Sequence, residues 1–358
     1  MKCCYIPFKV KYNKYVENIK KSIELNGIEV LDIKYVLRNI SVFNKTRIFN
    51  LNWFESIGKK NSKFYLLDYL SRKWFIIFIK IFNKKIIWTV HNKKPHDIQE
   101  DKYVIKIMNL LAEKSDIILI HCDETKEILH NLDVDIKEIE KKIRYIPHPN
   151  YIGNYNESKI SLRKNFNINK NELVFLFLGQ IRPYKNIEKI IKIANENVDK
   201  NIKFIITGRV ESEKYKNELL NMIKSNNIII EFKAIQDNEI TQYIDLADIL
   251  IFPYNIESVL NSGSIIMAFS YKKTVISPNI GTLKQFRCDN KYFTYEYKDD
   301  FEHEENLRNI INKVYKIHKN DNLALKNMGE YMYEVIKKEN SIEEIGRRYK
   351  EIYNELLK

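Results

Sequence analysis

The chain has 358 residues, of which 44% are hydrophobic and 30% charged, so it is long enough for two domains and too apolar to be disordered. Its 9 glycines, against roughly 25 at average usage, are not spaced to form a Gly-x-Gly-x-x-Gly or a Walker loop, which excludes the commonest phosphate-binding loops. The formal net charge of +13 suits a nucleotide, a polyanion or an anionic membrane surface.

The cysteines and the apolar runs bear on the cellular compartment. Cys3, Cys4, Cys122 and Cys288 form neither a Cys-x-x-Cys nor a zinc-binding pattern, and the start of the chain does not resemble a secretory signal. The longest apolar run, residues 74–79, is far shorter than the ~20 residues of a membrane span. We therefore expect free thiols and a cytoplasmic protein.

The first part of the chain alternates short apolar runs with segments of helical spacing, which is typical of a parallel α/β fold. The first predicted strand ends at residue 6. The others occupy residues 28–33, 47–51, 85–90, 116–120 and 143–146. The predicted helices occupy residues 16–25, 64–82 and 103–112. Residues 1–155 are thus predicted to form an N-terminal Rossmann-like domain.

A polar stretch rich in Asn and Lys, residues 156–171, is predicted to be a linker, and the alternation then restarts. The predicted strands occupy residues 173–178, 202–207, 228–232, 249–252 and 274–277. The predicted helices occupy residues 187–195, 213–223, 239–246 and 264–271, followed by helical spacing from residue 301 onward. We expect a second Rossmann-like domain at residues 172–338 and a C-terminal helix at residues 339–358.

Two cations follow the first strand of the predicted second domain. Ligands of open α/β sheets bind at the carboxyl ends of strands, and Arg182 and Lys185 lie between such an end and a helix. Cations with a helix N-terminus behind them favour a diphosphate, although two exposed surface cations are the simpler alternative. Gly208 and Arg209, at the end of the next strand, are weaker candidates to line the same site.

A second loop, residues 252–264, follows another buried strand and leads into an apolar helix. Ser262 is a plausible N-cap, and Gly263 would let a phosphate approach the free N–H groups closely. The alternative is an ordinary capped helix. Glu257 could accept two ribose hydroxyls, or it could only favour the helix dipole.

These segments, in their order and spacing, resemble the donor half of glycosyltransferases with the GT-B fold, in particular the family 4 group called glycosyl transferases group 1. The segments that carry the resemblance are residues 179–186, 205–208, 247–254 and 275–278 with Gly281, and, for the group's N-terminal half, residues 88–92, 95–97 and 146–148. The resemblance implies two Rossmann-like domains facing each other across a cleft. It also implies retaining transfer of a sugar from a UDP- or GDP-sugar to a carbohydrate acceptor, with no cofactor and no required metal.

The resemblance assigns roles to individual residues. His91 would contact the donor sugar near the reaction centre, with His96 second and His148 third. The residues implied around the donor nucleotide are Gly179, Gly208, Arg209 and Glu257, with Arg182, Lys185, Ser262 and Gly263 at the diphosphate. Asn13 and Tyr15 fall where the group places an acceptor loop, and Trp53 could stack on a sugar, although an aromatic residue there is more often core.

Departures from the group's pattern mark a divergent branch. Many members carry Arg directly after the glycine of the first donor loop, where this chain has Gln180. Many also carry two glutamates with seven residues between them, and those positions here are Val259 and Met267. The chain therefore lacks the glutamate that holds the ribose in many members of the group.

Three other classes of protein remain as alternatives. A GT-B-shaped sugar-nucleotide epimerase would need acid/base carboxylates, and the sequence identifies none. A non-catalytic nucleotide-sugar-binding subunit is compatible with the missing glutamates. Nucleic-acid binding is disfavoured, because residues 76–79 are too apolar for a solvated face.

Asp133-Val134-Asp135 matches the metal-binding triplet of the other glycosyltransferase fold. It lies in a polar turn, and we interpret the match as chance.

The basic charge is concentrated in residues 59–85, which contain eight basic residues and one acidic residue, Asp68. Apolar residues recur there at mostly helical spacing, namely Phe64, Leu67, Leu70, Trp74, Phe75, Phe78 and Phe82. One interpretation is peripheral attachment to the inner face of an anionic membrane, where a lipid-linked acceptor would be met. The other is that the apolar stripe is the core-facing side of a helix.

Overall fold

The computed structural model of the protein describes residues 1–11, 13–58, 63–91, 102–157, 160–198, 201–288 and 290–358. The chain divides into two compact units. Unit 1 comprises Met1–Pro149 and Glu339–Lys358, and unit 2 comprises Asn150–Lys338. Three residues singled out from the sequence, His96, Lys59 and Lys60, lie outside the described residues.

Unit 1 contains a parallel sheet with the strand order β2-β1-β3-β4-β5-β6. Its strands are β1 (Lys2–Ile6), β2 (Glu29–Leu31), β3 (Ile48–Asn52), β4 (Lys85–Thr89), β5 (Ile117–Ile120) and β6 (Ile143–Tyr145). The central strands are buried on both faces, which explains their nearly unbroken apolar sequence. The polar residues that follow them therefore lie at one edge of the sheet.

The helices of unit 1 are α1 (Lys14–Glu24), α2 (Ile33–Arg38), α3 (Ile40–Lys45), α4 (Tyr65–Ile81), α5 (Lys102–Lys114), α6 (Thr125–His130), α7 (Ile136–Lys142) and the last helix, α16 (Ile342–Leu357). The strand predicted at residues 28–33 is too long. Asp32 ends it, because its carboxylate accepts a hydrogen bond from the Lys34 N–H at 2.6 Å and caps α2. In the same way Asp135, from the Asp-Val-Asp triplet, caps α7.

The C-terminal helix α16 belongs to unit 1, where it packs against α1. A Cβ atom on Gly346 would lie 2.2 Å from the Ser22 carbonyl oxygen, so only glycine permits this approach. Asn50 on β3 donates a hydrogen bond to the Tyr353 hydroxyl at 2.8 Å, which ties the helix to the sheet. The prediction that the C-terminal helix returns to the first domain is confirmed.

Unit 2 contains a second parallel sheet, with the order β12-β11-β10-β7-β8-β9. Its strands are β7 (Leu173–Leu178), β8 (Ile202–Thr207), β9 (Ile228–Glu231), β10 (Ile249–Ile251), β11 (Thr274–Pro278) and β12 (Phe293–Tyr295). Its helices are α8 (Leu162–Asn165), α9 (Ile187–Asn195), α10 (Glu213–Met222), α11 (Ile240–Leu246), α12 (Gly263–Ser270), α13 (Gly281–Lys284), α14 (Asp300–Asn320) and α15 (Ala324–Glu339). The stretch predicted as a linker, residues 156–171, is counted in unit 2 and includes α8.

The strand orders define where each sheet can hold a ligand. In unit 2 the chain runs outward from β7 through β8 to β9 and then returns to β10 on the other side of β7. In unit 1 the corresponding reversal lies between β1 and β3. Loops that leave adjacent strands in opposite directions open a crevice at the carboxyl edge, which is the usual ligand site of such sheets. The predicted α/β class with two Rossmann-like domains is confirmed.

Candidate functional site

The turn that follows β7 is pressed against the turn that follows β8. Gly179 and Gly208 have φ values of +155° and +157°, which side chains rarely adopt. A Cβ atom on Gly208 would lie 1.6 Å from the Gly179 carbonyl oxygen. The two predicted glycines therefore let two backbone turns meet at the edge of the sheet, where a larger residue would force them apart.

The cationic loop after β7 is tied to the loop after β10. Pro183–Lys185 forms a single 3₁₀ turn that ends at Asn186 in the left-handed region, with φ of 53°. The Asn186 amide donates to the Pro253 carbonyl at 2.9 Å, and the Asn255 N–H donates to the Tyr184 carbonyl at 2.9 Å. These hydrogen bonds hold the two loops of the strand-order reversal against each other.

Lys185 lies over an aromatic ring in this crevice. Its Nζ is 4.0 Å from the centroid of the Tyr254 ring. Burial, together with the neighbouring positive charge of Arg182, lowers the pKa of Lys185 to about 7. Because burial without a counter-charge destabilises the ammonium group, an anion bound beside it would restore its charged form.

Tyr254 links Lys185 to the start of α12. The Tyr254 hydroxyl and the Ser262 Oγ are 2.9 Å apart, and Ser262 Oγ also accepts from the Ile265 N–H at 3.3 Å. The predicted N-cap role of Ser262 is confirmed, and Gly263 is the first residue of the helix. The structure thus brings Arg182, Lys185, Ser262 and Gly263 into one group.

The other donor-side candidates lie at the border of this group or apart from it. Glu257 is exposed, and its N–H donates to the Asn255 side-chain oxygen at 2.8 Å. Arg209 is also exposed, and its carbonyl accepts from the Ile181 N–H at 2.9 Å. The described contacts do not join either side chain to Lys185.

The two positions where many group members carry glutamates are part of the core. Val259 and Met267 are both buried in the hydrophobic core of unit 2. A carboxylate at either position would be buried among apolar side chains, which is unfavourable without a partner. At these two positions the chain therefore has apolar side chains that pack in the core, where many group members have glutamates.

In unit 1, His91 follows β4 and is buried beside polar and aromatic groups. Its Nε2–H donates to the Asn52 side-chain oxygen at 3.0 Å, an oxygen that also accepts from the Tyr5 hydroxyl. The Trp53 ring stacks on the imidazole with centroids 4.0 Å apart and planes 17° from parallel. Trp53 has a φ of +49°, so a strained backbone holds this ring against the histidine.

Tyr15 connects His91 to two more histidines. Its ring meets the His91 and His148 rings at 5.0 Å, and its hydroxyl donates to His121 Nε2 at 2.9 Å. The His121 Nδ1–H donates to the Ile146 carbonyl at 2.7 Å, which fixes the tautomer that accepts from Tyr15. Sequence reasoning missed His121, although it directly follows β5 and the strand-end rule points to it.

The three imidazoles are held in the neutral form. Burial lowers the pKa of His91 well below its ordinary value, that of His121 to about 4 and that of His148 to about 3, with the other imidazoles adding to the effect at His91 and His148. At neutral pH they are hydrogen-bonding groups, not cations. Among the described residues, no group of three or more His, Cys, Asp or Glu side chains is arranged to hold a metal ion.

The two predicted acceptor-loop residues have different surroundings. Asn13 is the N-cap of α1, because its side-chain oxygen accepts from the Tyr15 N–H at 2.9 Å. Tyr15 and Trp53 belong to the histidine group, with their ring centroids 5.6 Å apart. The structure therefore brings Tyr15 and Trp53 together with His91. Asn13 caps the helix that contains Tyr15.

The comparisons define the class of protein by its fold: the chain has the GT-B fold of glycosyltransferases. Residues 158–335, nearly all of unit 2, match the family described as glycosyl transferases group 1, and this part of the chain belongs to that family. No curated protein matches the chain significantly in sequence.

Solved structures resemble the chain over almost its whole length. HepE from Anabaena, in complex with UDP and glucose, has a TM-score of 0.71 at 14% identity, with 99% of this chain and 100% of HepE covered. Sucrose-phosphate synthase from Thermosynechococcus elongatus has a TM-score of 0.73 at 12% identity, with 99% and 98% covered. A glycosyltransferase from Rickettsia africae has a TM-score of 0.69 at 17% identity, with 100% and 98% covered. At these identities the likeness establishes the fold.

Proposed function

We propose that the protein transfers a sugar from a nucleoside-diphosphate donor, a UDP- or GDP-sugar, to a carbohydrate acceptor with retention of the anomeric configuration. The observation that carries the proposal is the group formed by Lys185, Tyr254 and the start of α12 at the strand-order reversal of unit 2. The related fold of HepE, solved with UDP-glucose, supports a nucleotide-sugar donor.

In this proposal, unit 2 stabilises the departing diphosphate. Arg182 and Lys185 supply positive charge, and the free N–H groups of the first turn of α12 supply aligned donors. Gly263, the first residue of α12, has no side chain that would stand between a ligand and these N–H groups. Retaining transfer of this kind depends on positioning and on stabilising the leaving group.

In unit 1, we assign His91 to the transferred sugar, with Tyr15 and Trp53 binding the acceptor. A neutral imidazole among aromatic rings suits a sugar, which presents hydroxyl groups and apolar C–H faces and carries no charge. Asn52 sets the orientation of the imidazole through its bond to Nε2. The acceptor is a carbohydrate, and we propose that it is linked to a lipid.

The test is release of nucleoside diphosphate from a panel of UDP- and GDP-sugars offered with soluble sugar acceptors. One donor should support release, and Lys185→Ala and Arg182→Ala should each lower donor affinity about 10- to 100-fold, because a charge-assisted phosphate contact is worth about 1.5–3 kcal/mol. Lys214→Ala, on α10, is the matched control. If both site variants stay within about twofold of the parent, the diphosphate binds elsewhere.

The second candidate is a non-catalytic nucleotide-sugar-binding subunit, which the apolar side chains of Val259 and Met267 favour. The same panel separates the two functions. Calorimetric binding of a donor that depends on Lys185, without release of diphosphate by any donor and acceptor pair, would favour the binding subunit. Release of diphosphate would exclude it, and conversion of the donor into its epimer without any acceptor would indicate the epimerase alternative.

A further inference from the structure

The helix α4 has two apolar sides, and only one of them faces the core. Tyr65, Ile76 and Ile79 are buried in unit 1. On the opposite side, Leu67, Trp74 and Ile81 are 60%, 61% and 74% exposed, and their spacing of seven residues places them on one line along the helix. The interpretation of the apolar stripe as the core-facing side is therefore wrong for Leu67 and Trp74, and Ile81, which was not part of that stripe, extends the exposed line.

We define the α4 outer face as this line together with three further apolar residues on the same side of α4 that are exposed or half-buried. The α4 outer face consists of Leu66, Leu67, Leu70, Trp74, Phe78 and Ile81. From residue 66 to residue 81 the helix rises about 22 Å, so the face is long enough to contact a surface rather than a single side chain. A continuous exposed apolar patch of this kind marks an interaction site.

Other surface helices of the protein carry ion pairs on their solvent-exposed sides. On α16, Arg347 forms ion pairs with Glu344 and Glu351. On α14, Arg308 pairs with Glu304. The acidic residue of α4, Asp68, pairs with Arg72 beside the core and not on the outer face. The α4 outer face is thus a local exception in a surface otherwise rich in ion pairs.

Cations border the α4 outer face along one side. Lys63 precedes the helix, and Lys73 lies with its Nζ 5.9 Å from the Trp74 ring. The neighbouring helix α5 adds Lys102 and Lys106, both beside Tyr103, whose ring stacks on Tyr69 of α4 at 4.5 Å. An occupant must accept apolar side chains in its centre and positive charge at its edge.

An anionic lipid surface satisfies both requirements. Apolar side chains enter the boundary between headgroups and acyl chains, a tryptophan suits that boundary, and lysine side chains reach the phosphates beside it. A second copy of the chain fits less well. In a two-fold interface the lysines that border the face on one copy would lie near the same lysines of the other copy, and their like charges would repel. Among the described residues, no helix is both long and apolar enough to cross a membrane.

We propose that the α4 outer face docks the protein on an anionic membrane, with the axis of α4 parallel to the bilayer plane. This inference rests on the proposed function in one respect, namely that a membrane-bound enzyme would meet a lipid-linked acceptor at that surface. The docking itself involves residues of α4 and α5 and none of the residues assigned to donor or sugar.

The first experiment follows Trp74 directly. The full chain is mixed at low salt with vesicles of equal parts phosphatidylglycerol and phosphatidylcholine, and with vesicles of phosphatidylcholine alone. We expect sedimentation with the anionic vesicles only, and quenching of tryptophan fluorescence when the acyl chains are brominated. Trp74→Phe should still sediment but should lose most of the quenching, because Trp88 is buried and Trp53 is half-buried against His91 and is not part of the α4 outer face.

The second experiment uses matched variants. Leu67→Glu and Ile81→Glu should each weaken binding to anionic vesicles at least about tenfold, whereas Phe301→Glu should not, although Phe301 is a 75% exposed apolar residue of α14. Replacing Lys73, Lys102 and Lys106 together by Gln should weaken binding by about a hundredfold, since each cation near an anionic surface contributes about a fivefold factor. Thermal unfolding at the parent's temperature shows that the variants are folded.

Several results would overturn the proposal. These are no sedimentation at low salt, equal binding to neutral vesicles, equal loss in Phe301→Glu, or a dimer in solution that Ile81→Glu dissociates. Release of nucleoside diphosphate with a soluble acceptor is measured for the same variants. Because the α4 variants leave the donor site intact, unchanged release with lost vesicle binding supports docking, and absent release in the parent would count against the proposed function alone.

Discussion

At the carboxyl edge of the first sheet, Tyr15, the buried His91 and His121 and the half-buried His148 form a group without charge at neutral pH. At the carboxyl edge of the second sheet, Arg182 and Lys185 stand beside the start of a helix. The second group lies where the strand order of its sheet reverses, between β7 and β10. The histidines of the first group follow β4, β5 and β6, and Tyr15 follows β1, so the two groups share the carboxyl edge of a parallel sheet and not the point of reversal. The side chains then decide which kind of ligand each location suits.

Burial lowers the pKa in both groups but leaves them in different protonation states. It removes the proton from the imidazoles and leaves neutral hydrogen-bonding rings that suit an uncharged sugar. It also lowers the pKa of Lys185, but only to about 7, so the ammonium form stays within reach and is favoured by a bound anion. The comparison predicts that changes in unit 2 act on donor affinity and that changes in unit 1 act on turnover.

The largest effect is expected from Gly208→Ala. The new Cβ would overlap the Gly179 carbonyl oxygen, so the turns after β7 and β8 must separate, and we expect the free energy of unfolding to fall by about 3 kcal/mol or more. Donor binding should be lost with it. Chemical denaturation and calorimetry measure the two effects.

Gly153→Ala is the control for this variant. Gly153 also has a left-handed backbone, with φ of +74°, but no atom lies within 4 Å of its added Cβ. It should lose only about 1 kcal/mol of unfolding free energy and no donor affinity. Equal losses in the two variants would mean that backbone conformation, and not the contact between the turns, makes Gly208 necessary.

His91→Ala should lower turnover about 100-fold while the KM for the donor changes less than about threefold. The reason is that His91 is assigned to the transferred sugar, so its loss removes an interaction that strengthens in the transition state. His130→Ala, at the end of α6 in the same unit, is the control and should leave both constants unchanged. A rise in KM with unchanged turnover would place His91 in ground-state binding instead.

Much of the fold could be predicted because buried parallel strands have nearly unbroken apolar sequences. β7 was predicted at its exact bounds, since Leu173–Leu178 contains six apolar residues in succession. α2 and α3 were not predicted, because each has only six residues and depends on side-chain caps, at Asp32 and Asn39, more than on periodicity.

The sites were predictable only in part. The strand-end rule identifies Lys185 and His91 from the sequence, but the contact between Lys185 and Tyr254 depends on the path of two loops. His121 obeys the same rule and was missed because its link to Tyr15 spans 106 positions in the chain. For α4, periodicity shows which residues share a side, but both sides are apolar, so only the structure tells which side is exposed.

A smaller effect is expected from Lys185→Arg, which should change how the affinity for a nucleoside diphosphate depends on pH. With a pKa of about 7, Lys185 of the free protein loses its proton above pH 7, so the affinity for a nucleoside diphosphate should fall towards tenfold per pH unit as pH rises. Arginine stays protonated, so the variant's affinity should change much less between about pH 6 and about pH 8.5. Calorimetry in buffers of different ionisation enthalpy should show proton uptake by the parent above pH 7 and none by the variant. The same slope in both proteins would assign the titration to another group.

The smallest effect is expected from Ser262→Ala, which separates capping from ligand binding. Loss of an N-cap side chain costs about 1 kcal/mol of unfolding free energy, and Ser212→Ala, which removes the cap of α10 in the same unit, should cost about as much. Only Ser262→Ala should also weaken donor binding, about threefold to tenfold, because the Tyr254 hydroxyl would lose its partner at Ser262 and the first turn of α12 its fixed position beside Lys185. Denaturation and donor titration of both variants provide the measurement. If the two serines behave alike in both assays, Ser262 only ends a loop and starts a helix, and the diphosphate must be held by the cations without the help of α12.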